Sequence, residues 1–429
     1  MANEISRRGL LKGAALTGAG LLWASEPAKA RIIGANDRLN VAVVGIANRG
    51  SANVEGVMNE NIVAICDIDD NYLARVKEKF PQAKTFNDYR KLMEMKGIDA
   101  VVVSTPDHVH APATSAAILS GHHVYCEKPL AHSVWEARHV TELVNKHKKV
   151  SQMGTQIHAM SNYRRVVEVI QSGAIGPVRE VHSWADRVWS GAGHPTDTTP
   201  VPSNIHWDLW LGPAAERPFS QAYIPGEWRG WWAFGNGTLG DMACHHMDLP
   251  FWALELSHAE TISAEGPPVD PETAPEWLKV KYTFPARGTK PPVELHWYNG
   301  GKRPDYFAQG KLPRWGDGSL FVGDKGWLLA DYGSYVLLPE TDFKDYVAPK
   351  PSIPESIGHH AEWIEACKHG GTPLCNFNYS GPLAETVLLG AVAYRTGKTI
   401  EWDHKHIKAK GVPEADLILH PHFRSGFKV

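Results

Sequence analysis

From residue 38 onward the chain alternates two kinds of segment. Short apolar runs, "RLNVAVVG", "NIVAIC", "DAVVVS", "HHVYC" and "KVSQM", are separated by longer stretches whose apolar positions recur every three or four residues. The runs are rich in Val and Ile and show no polar alternation. They predict strands buried on both faces. "SANVEGVMN", the stretch running to Phe80, "HAPATSAAILSG" and "SVWEARHVTELVNKHK" predict the intervening helices, and "AKTFNDYRKLMEMKGI" holds one more short strand and helix. Strand–helix alternation of this kind predicts an α/β domain with a doubly wound, parallel sheet over residues 31–155.

Beyond residue 156 the pattern changes. One helix, "NYRRVVEVIQSG", leads into a strand, "GPVREVHSWADRVW", and then into a Gly-, Pro- and Trp-rich region over 190–240. Six short strand segments follow, from "AETISAEG" to "SYVLLP", with turns between them, and two helices, "HHAEWIEACKHG" and "PLAETVLLGAVAYRTG", close the pattern. Residues 156–429 therefore read as a second, α+β domain built on a mostly antiparallel sheet.

The first 30 residues follow neither pattern. "SRRGLLKGAALTGAGLLWASEPAKA" has a basic start, an apolar run and a small-x-small end, which predicts a signal peptide cut after Ala30. The Arg7-Arg8 pair in "SRRGLLK" resembles a twin-arginine export signal. The expected location is the periplasm or another exported site. The apolar run is short for a bilayer span; an uncleaved anchor is the alternative, and no stable membrane insertion is expected after cleavage. With 43% hydrophobic and 21% charged residues the chain as a whole reads as globular, and a net charge of −3 without a basic block argues against nucleic acid as a partner. Five cysteines, an odd number, do not make a disulfide framework, although a Cys367–Cys375 bridge stays open.

The chemistry begins at "GIANRG". Gly45 opens a strand-to-helix turn, Asn48 and Arg49 sit in it, and Gly50 follows; the central glycine of a G-x-G-x-x-G pattern is Ala47 here. A helix N-terminus after such a turn attracts a pyrophosphate. Asp67 lies 22 residues after Gly45, at the end of the second strand, where a carboxylate accepts ribose hydroxyls and repels a 2′-phosphate. NAD is expected over NADP. Thr105, Pro106, His108 and His110 follow the third long strand and are expected near the nicotinamide, and Gln156 opens the second domain at the same end.

"VVVSTPDHVHA", "GHHVYCEKPLA", "GTLGDMACHHMDLPFW" and "GTQ" leading into "NYRRVVEVIQSGAIGPV" together resemble the Gfo/Idh/MocA oxidoreductases over residues 38–405. The resemblance implies a dinucleotide-binding Rossmann domain followed by a domain with an open, mostly antiparallel sheet. It implies that Glu127 holds the nicotinamide ribose, that Lys128 points at the substrate hydroxyl, and that His245 is the acid/base group. A lysine facing a cationic nicotinamide in a dry pocket is expected to have a lowered pKa. Asp241, four residues before His245 on one helix face, would bond the sugar or orient the imidazole; Asp248 would fix its other nitrogen, and His246 would be structural. Tyr163, Trp184, Arg229 and Trp232 are the candidate substrate contacts. Asp241, His245 and Asp248 could alternatively bind zinc, but Lys128 already supplies the polarisation, so no metal is expected.

The expected activity is hydride transfer between a tightly bound nicotinamide and a hydroxyl or keto group of a sugar, polyol or glycoside, in a homo-oligomer, dimer or tetramer. Two rival readings remain: an NAD-dependent glycosidase working by oxidation and elimination, and a non-catalytic sugar-binding protein. The second needs neither Lys128 nor His245.

Overall fold

Strands β1 (Asn40–Val44), β2 (Asn61–Cys66), β3 (Lys84–Phe86), β4 (Ala100–Val103), β5 (His123–Cys126) and β6 (Ser151–Met153) form one sheet in the order β3-β2-β1-β4-β5-β6, all pairs parallel. The Val-rich runs are strands because both faces are covered; β4 is buried at every position. The order reverses between β1 and β4, and in such sheets ligands bind outside the carboxyl ends of the strands at that reversal. Gly45, Asp107 and Glu127 all follow strands at this edge. The computed structural model describes residues 37–429 apart from 192, 194, 196–198 and 428. The signal sequence expected in residues 1–30 lies outside the described residues.

The second sheet comprises β7 (Val178–Ala185), β8 (Thr261–Glu265), β9 (Leu278–Phe284), β10 (Val293–Asn299), β11 (Gly318–Gly323), β12 (Gly326–Ala330), β13 (Tyr335–Leu338), β14 (Ile400–Asp403) and β15 (Lys408–Ala409), in the order β13-β12-β11-β7-β10-β9-β8-β14-β15. Neighbours are antiparallel except β7 and β10, which run parallel. The sheet is thus mixed and mostly antiparallel. β14 and β15 escaped the sequence reading because strands of four and two residues are too short to display a period. The Gly-, Pro- and Trp-rich 190–240 region contains a helix, Trp207–Leu211.

Helices Gly237–His246 and Phe377–Thr396 contribute to the main core together with one face of this sheet. The opposite face gathers Trp184, Leu312, Leu320, Leu329 and Leu338 in a separate cluster. The C-terminal residues return to the first sheet. Trp363 and Ile364 of helix His359–His369 enter the core formed by Val41, Val43, Ile65, Val102 and Tyr125. Helix Phe377–Thr396 packs along helix Val134–Lys146, where Arg138 makes a two-pronged contact to Glu385, 2.7 Å at each nitrogen. Ser133 and Glu136 close the start of that second helix with a reciprocal capping box. All five cysteines are free, so Cys367 and Cys375 do not form a bridge. Among the described residues no helix is long and apolar enough to cross a membrane.

Candidate active site

A cavity of about 750 Å³ lies at the carboxyl edge of the parallel sheet. On one side it is walled by the turns after β1, β2, β4 and β5, and on the other by helix Gly237–His246 and the segment around Trp210 and Trp228.

The turn after β1 is shaped by close backbone approach. Gly45 has φ +79°, and a Cβ there would stand 2.5 Å from the Ser104 carbonyl oxygen; a Cβ on Gly50 would overlap the carbonyl oxygen of Gly45. Helix Arg49–Gly56 starts immediately after it. Asn48, Arg49 and Ala47 line the cavity, so the alanine in place of the central glycine still leaves an open cradle. At the end of β2, Asp67 accepts the N–H of Ile46 at 3.0 Å and of Asp69 at 3.1 Å. Burial pushes its carboxyl up to about 6, against the pull of those N–H groups.

Glu127 is 4% exposed, and its Oε1 accepts from Arg49 Nε at 3.1 Å, Asn53 Nδ2 at 3.0 Å and Gln156 Nε2 at 2.8 Å. Its Oε2 is buried in the same wall with no partner among the described residues. A buried carboxylate oxygen without a donor is unfavourable unless a ligand supplies one. Glycine cradle, helix start, acid after β2 and open Glu127 oxygen together fit a dinucleotide, with Glu127 and Asp67 as acceptors for its ribose hydroxyls.

Lys128 Nζ stands 2.6 Å from Asp241 Oδ1 and 2.8 Å from the Asp241 carbonyl oxygen. Arg229 Nε reaches the same Oδ1 at 3.1 Å, and Trp189 Nε1 donates to Oδ2 at 2.7 Å. Burial would raise the Asp241 carboxyl, but the Lys128 and Arg229 charges prevail and hold it well below the usual carboxylate range. One turn on, His245 opens to the cavity, and its Nδ1 has no partner among the described residues. Burial first, and the Lys128 charge second, depress its pKa well below the ordinary histidine value. The imidazole is therefore neutral, with a nitrogen available as a base.

The structure brings Gly45, Asn48, Arg49, Asp67, Thr105, Pro106, His110, Glu127, Lys128, Gln156, Arg229, Asp241 and His245 to this one cavity. Four candidates are elsewhere. His108 is packed between Trp210 and Phe234 with Nε2 2.9 Å from the Trp210 carbonyl. Tyr163 is buried behind the site and donates to the His245 carbonyl at 3.2 Å. Trp184 points to the far face of the second sheet and bonds the Gly316 carbonyl, because strand alternation gives the helix-facing position to Ser183. Trp232 is buried and donates to the Asp270 carbonyl.

The expected partners of His245 also differ. Asp248 is engaged by His158 Nδ1, 3.0 Å from each oxygen, and by Tyr379 Oη at 2.7 Å. It does not orient His245. Among the described residues, the donors close enough to share a metal are His158, Asp248 and Cys375 rather than Asp241, His245 and Asp248. Asp241, for its part, is taken by Lys128, Arg229 and Trp189 rather than by the imidazole. His246 is structural as expected, fully buried with Nε2 2.9 Å from Tyr332 Oη.

Sequence reasoning passed over Asp107, Trp189, Asn53 and Tyr332. Asp107 had a signal: it opens a helix in which 107 and 110 share a face, while 108 turns away. Trp189 had none, since it reaches the site from the irregular segment after β7.

The description "Oxidoreductase family, NAD-binding Rossmann fold" fits residues 39–155, and "Oxidoreductase family, C-terminal alpha/beta domain" fits residues 162–292; both are Gfo/Idh/MocA family models. The chain is 31% identical over 128 residues to an inositol 2-dehydrogenase of Salmonella typhimurium, covering 29% of this chain and 38% of that one. It is 26% identical over 192 residues to a levoglucosan dehydrogenase of Pseudarthrobacter phenanthrenivorans, covering 43% and 40%. The matched region thus spans less than half the length of these curated relatives. Among solved structures, the WlbA dehydrogenase of Bordetella pertussis in complex with NADH and UDP-GlcNAcA superposes with a TM-score of 0.61 at 16% identity, over 85% of this chain and 99% of that one. The aldose-aldose oxidoreductase of Caulobacter crescentus complexed with glycerol gives 0.56 at 15% identity, over 85% and 100%. At these identities the likeness is one of fold.

Proposed function

The chain belongs to the Gfo/Idh/MocA oxidoreductase family through both of its domains, and from that premise we propose that it interconverts a hydroxyl and a keto group of a sugar or polyol with NAD as the hydride carrier. The observation that carries this reading is the Lys128–Asp241 ion pair next to a neutral His245, whose Nδ1 has no partner among the described residues, in the cavity that Glu127 also lines. The inositol and levoglucosan dehydrogenases among its relatives support a polyhydroxylated substrate.

NAD, when bound, supplies the hydride-accepting nicotinamide. The residues of the chain do the rest. Asp67 and Glu127 hold ribose hydroxyls, and Asp67 disfavours a 2′-phosphate, which selects NAD over NADP. Lys128, fixed by Asp241, donates a hydrogen bond to the substrate oxygen and stabilises the negative charge that grows there. His245 takes the hydroxyl proton in oxidation and returns it in reduction. Arg229 and Trp189 clamp Asp241, so Lys128 is held by a carboxylate that cannot swing away.

Arg7-Arg8 and "AKA" support export by the twin-arginine route, with the cofactor loaded before export and held tightly afterwards. The deciding experiment is a substrate panel of myo-inositol, levoglucosan, D-glucose, D-xylose and methyl glucoside. Absorbance at the reduced-nicotinamide band is followed with the protein loaded with NAD. A substrate-dependent rise supports the reading. No change with any member overturns it, and release of a chromogenic aglycone without net reduction favours elimination instead.

A further inference from the structure

Six acids line the cavity: Asp67, Asp69, Asp88, Asp107, Glu127 and Asp241. Five of them are engaged by the protein. Asp67 takes two main-chain N–H groups, Asp69 accepts from Asn71 and Asn204, Asp88 pairs with Arg90, Glu127 collects Arg49, Asn53 and Gln156, and Asp241 collects Lys128, Arg229 and Trp189. Asp107 is the exception. It opens helix Asp107–Leu119 and is only 5% exposed, yet its carboxyl receives no donor among the described residues beyond its own main-chain N–H.

Burying a carboxyl this way is unfavourable, and burial pushes it up to about 7 even though Arg229 and Lys128 oppose the shift. A helix start accounts for an acid in the first turn, but not for one turned into a cavity without a partner. Its surroundings tell which ligand would complete it. The charges that act on it are Arg229, Lys128 and Asp241, and across the gap its Oδ2 lies 3.8 Å from where a Cβ on Gly240 would stand. These groups belong to the substrate half of the cavity. The donors of the cofactor half converge on Glu127 instead.

We propose that Asp107 accepts a hydrogen bond from a second hydroxyl of the substrate, distinct from the one that is oxidised, and thereby selects polyhydroxylated substrates over deoxy analogues. The inference rests on the polyol reading above. The physical basis is asymmetric: a site whose buried polar group is completed by a substrate hydroxyl strongly rejects the analogue that lacks it, because the group is then left bare. Asp107 is thus a specificity residue beside the acid/base pair, and its carboxyl takes no part in hydride or proton transfer.

The test uses the NAD-loaded protein and the panel member with the highest kcat/KM, together with the monodeoxy analogues of that compound. Asp107→Ala is expected to raise KM about 10- to 100-fold, the range of a hydrogen bond to a charged group, with kcat changed far less. Asp107→Asn, which keeps the shape and one acceptor, is expected to recover part of the loss. One deoxy analogue is expected to bind Asp107→Ala more tightly than it binds wild type, since in wild type it leaves the buried carboxyl bare and in the variant no such group remains. Unchanged KM in both variants overturns the inference while leaving the dehydrogenase reading intact. A loss of NAD affinity with KM unchanged overturns it too, by assigning Asp107 to the cofactor. A wild-type protein inactive on the whole panel overturns both readings together.

Discussion

Gly154 lies directly against Glu127: a Cβ at position 154 would stand 2.5 Å from the carboxyl carbon and 2.6 and 2.7 Å from its two oxygens. The absence of a side chain at the end of β6 is what lets the carboxylate stand where Arg49, Asn53 and Gln156 can reach one oxygen and leave the other open. Gly154→Ala should therefore shift Glu127 without unfolding the chain, because the clash is with the tip of a flexible side chain. NAD affinity is expected to fall about tenfold, the scale of a lost hydrogen bond to a charged group. Fluorescence titration with NADH checks this, and Glu127→Gln should give a loss of similar size. Wild-type affinity in both variants would remove Glu127 from the cofactor site.

Lys128→Ala and His245→Ala should each lower kcat roughly 10²–10⁴-fold, the usual worth of an acid/base group, with NAD content nearly unchanged. The depressed His245 pKa sets the pH behaviour. Its imidazole is a base at any pH above that lowered value, so the acid limb of kcat/KM assigned to it should lie below the ordinary histidine pKa of about 6.5. A limb due to His245 at or above that value would contradict the burial argument.

Asp241→Asn should be costly for both stability and activity. It leaves the Lys128 and Arg229 charges facing a neutral amide in a nearly closed site, and breaking a buried pair from one side typically costs about 3–5 kcal/mol. The sign with pH follows from the lowered carboxyl. A depressed acid contributes stability that is fully present above its unfolded value, about 3.9, and lost as pH falls towards its folded one. The wild-type advantage in Tm should hold from pH 8 to pH 5 and shrink below about 4. Trp189→Phe removes one donor to the same carboxylate and should show a smaller loss of kcat with little change in Tm.

Asp67 behaves oppositely, because burial raises its carboxyl to about 6. A raised acid contributes stability that is present below its unfolded value and lost as pH rises through its folded one. Without cofactor, Asp67→Asn should gain on the wild type in Tm as pH goes from 5 to 8. With cofactor, the same variant should bind NAD less tightly and discriminate less against NADP. An unchanged NAD/NADP affinity ratio would sink the assignment.

The proposed export predicts that replacing Arg7 and Arg8 by lysine leaves the protein folded and loaded in the cytoplasm, as fractionation would show. The exported wild type should carry close to one nicotinamide per chain after dialysis. A periplasmic protein purified empty, and active only with added NAD, would count against a cofactor loaded before export.

The parallel sheet was legible because β1, β4 and β5 are buried on both faces, and burial of that kind writes itself as runs of apolar residues without polar alternation, Val and Ala in β1 and β4 and Val-Tyr-Cys in β5. The cofactor wall was legible for a related reason. Gly45, Asp67, Glu127 and Lys128 sit at strand ends, where the alternation itself marks the position. The substrate side was less so. Tyr163, Trp184 and Trp232 had been chosen for being aromatic, but large rings are as useful in a core as in a cavity, and only the sheet's alternation or a helix's facing separates the two. In the same way His108 was picked and its neighbour Asp107 passed over, although the spacing to His110 favours 107. Asp248 looked like a partner for His245 by sequence distance. It pairs with His158, ninety positions earlier, a relation that no local pattern encodes.

Trp363 and Ile364 complete the core of the first sheet, and His360 of the same helix, with Nε2 2.9 Å from Asn53 Oδ1, braces a residue that holds Glu127. The nucleotide half, residues 31–155, is therefore unfinished until roughly two hundred further residues, up to helix His359–His369, are present. On the ribosome, the strands that will grip the cofactor emerge first and wait; the pieces that lock them arrive almost last. A chain truncated before residue 359 should expose apolar surface on its first half and hold nicotinamide poorly, however complete its glycine turn. Synthesis itself thus imposes an order in which the whole chain is made before the cofactor can be secured.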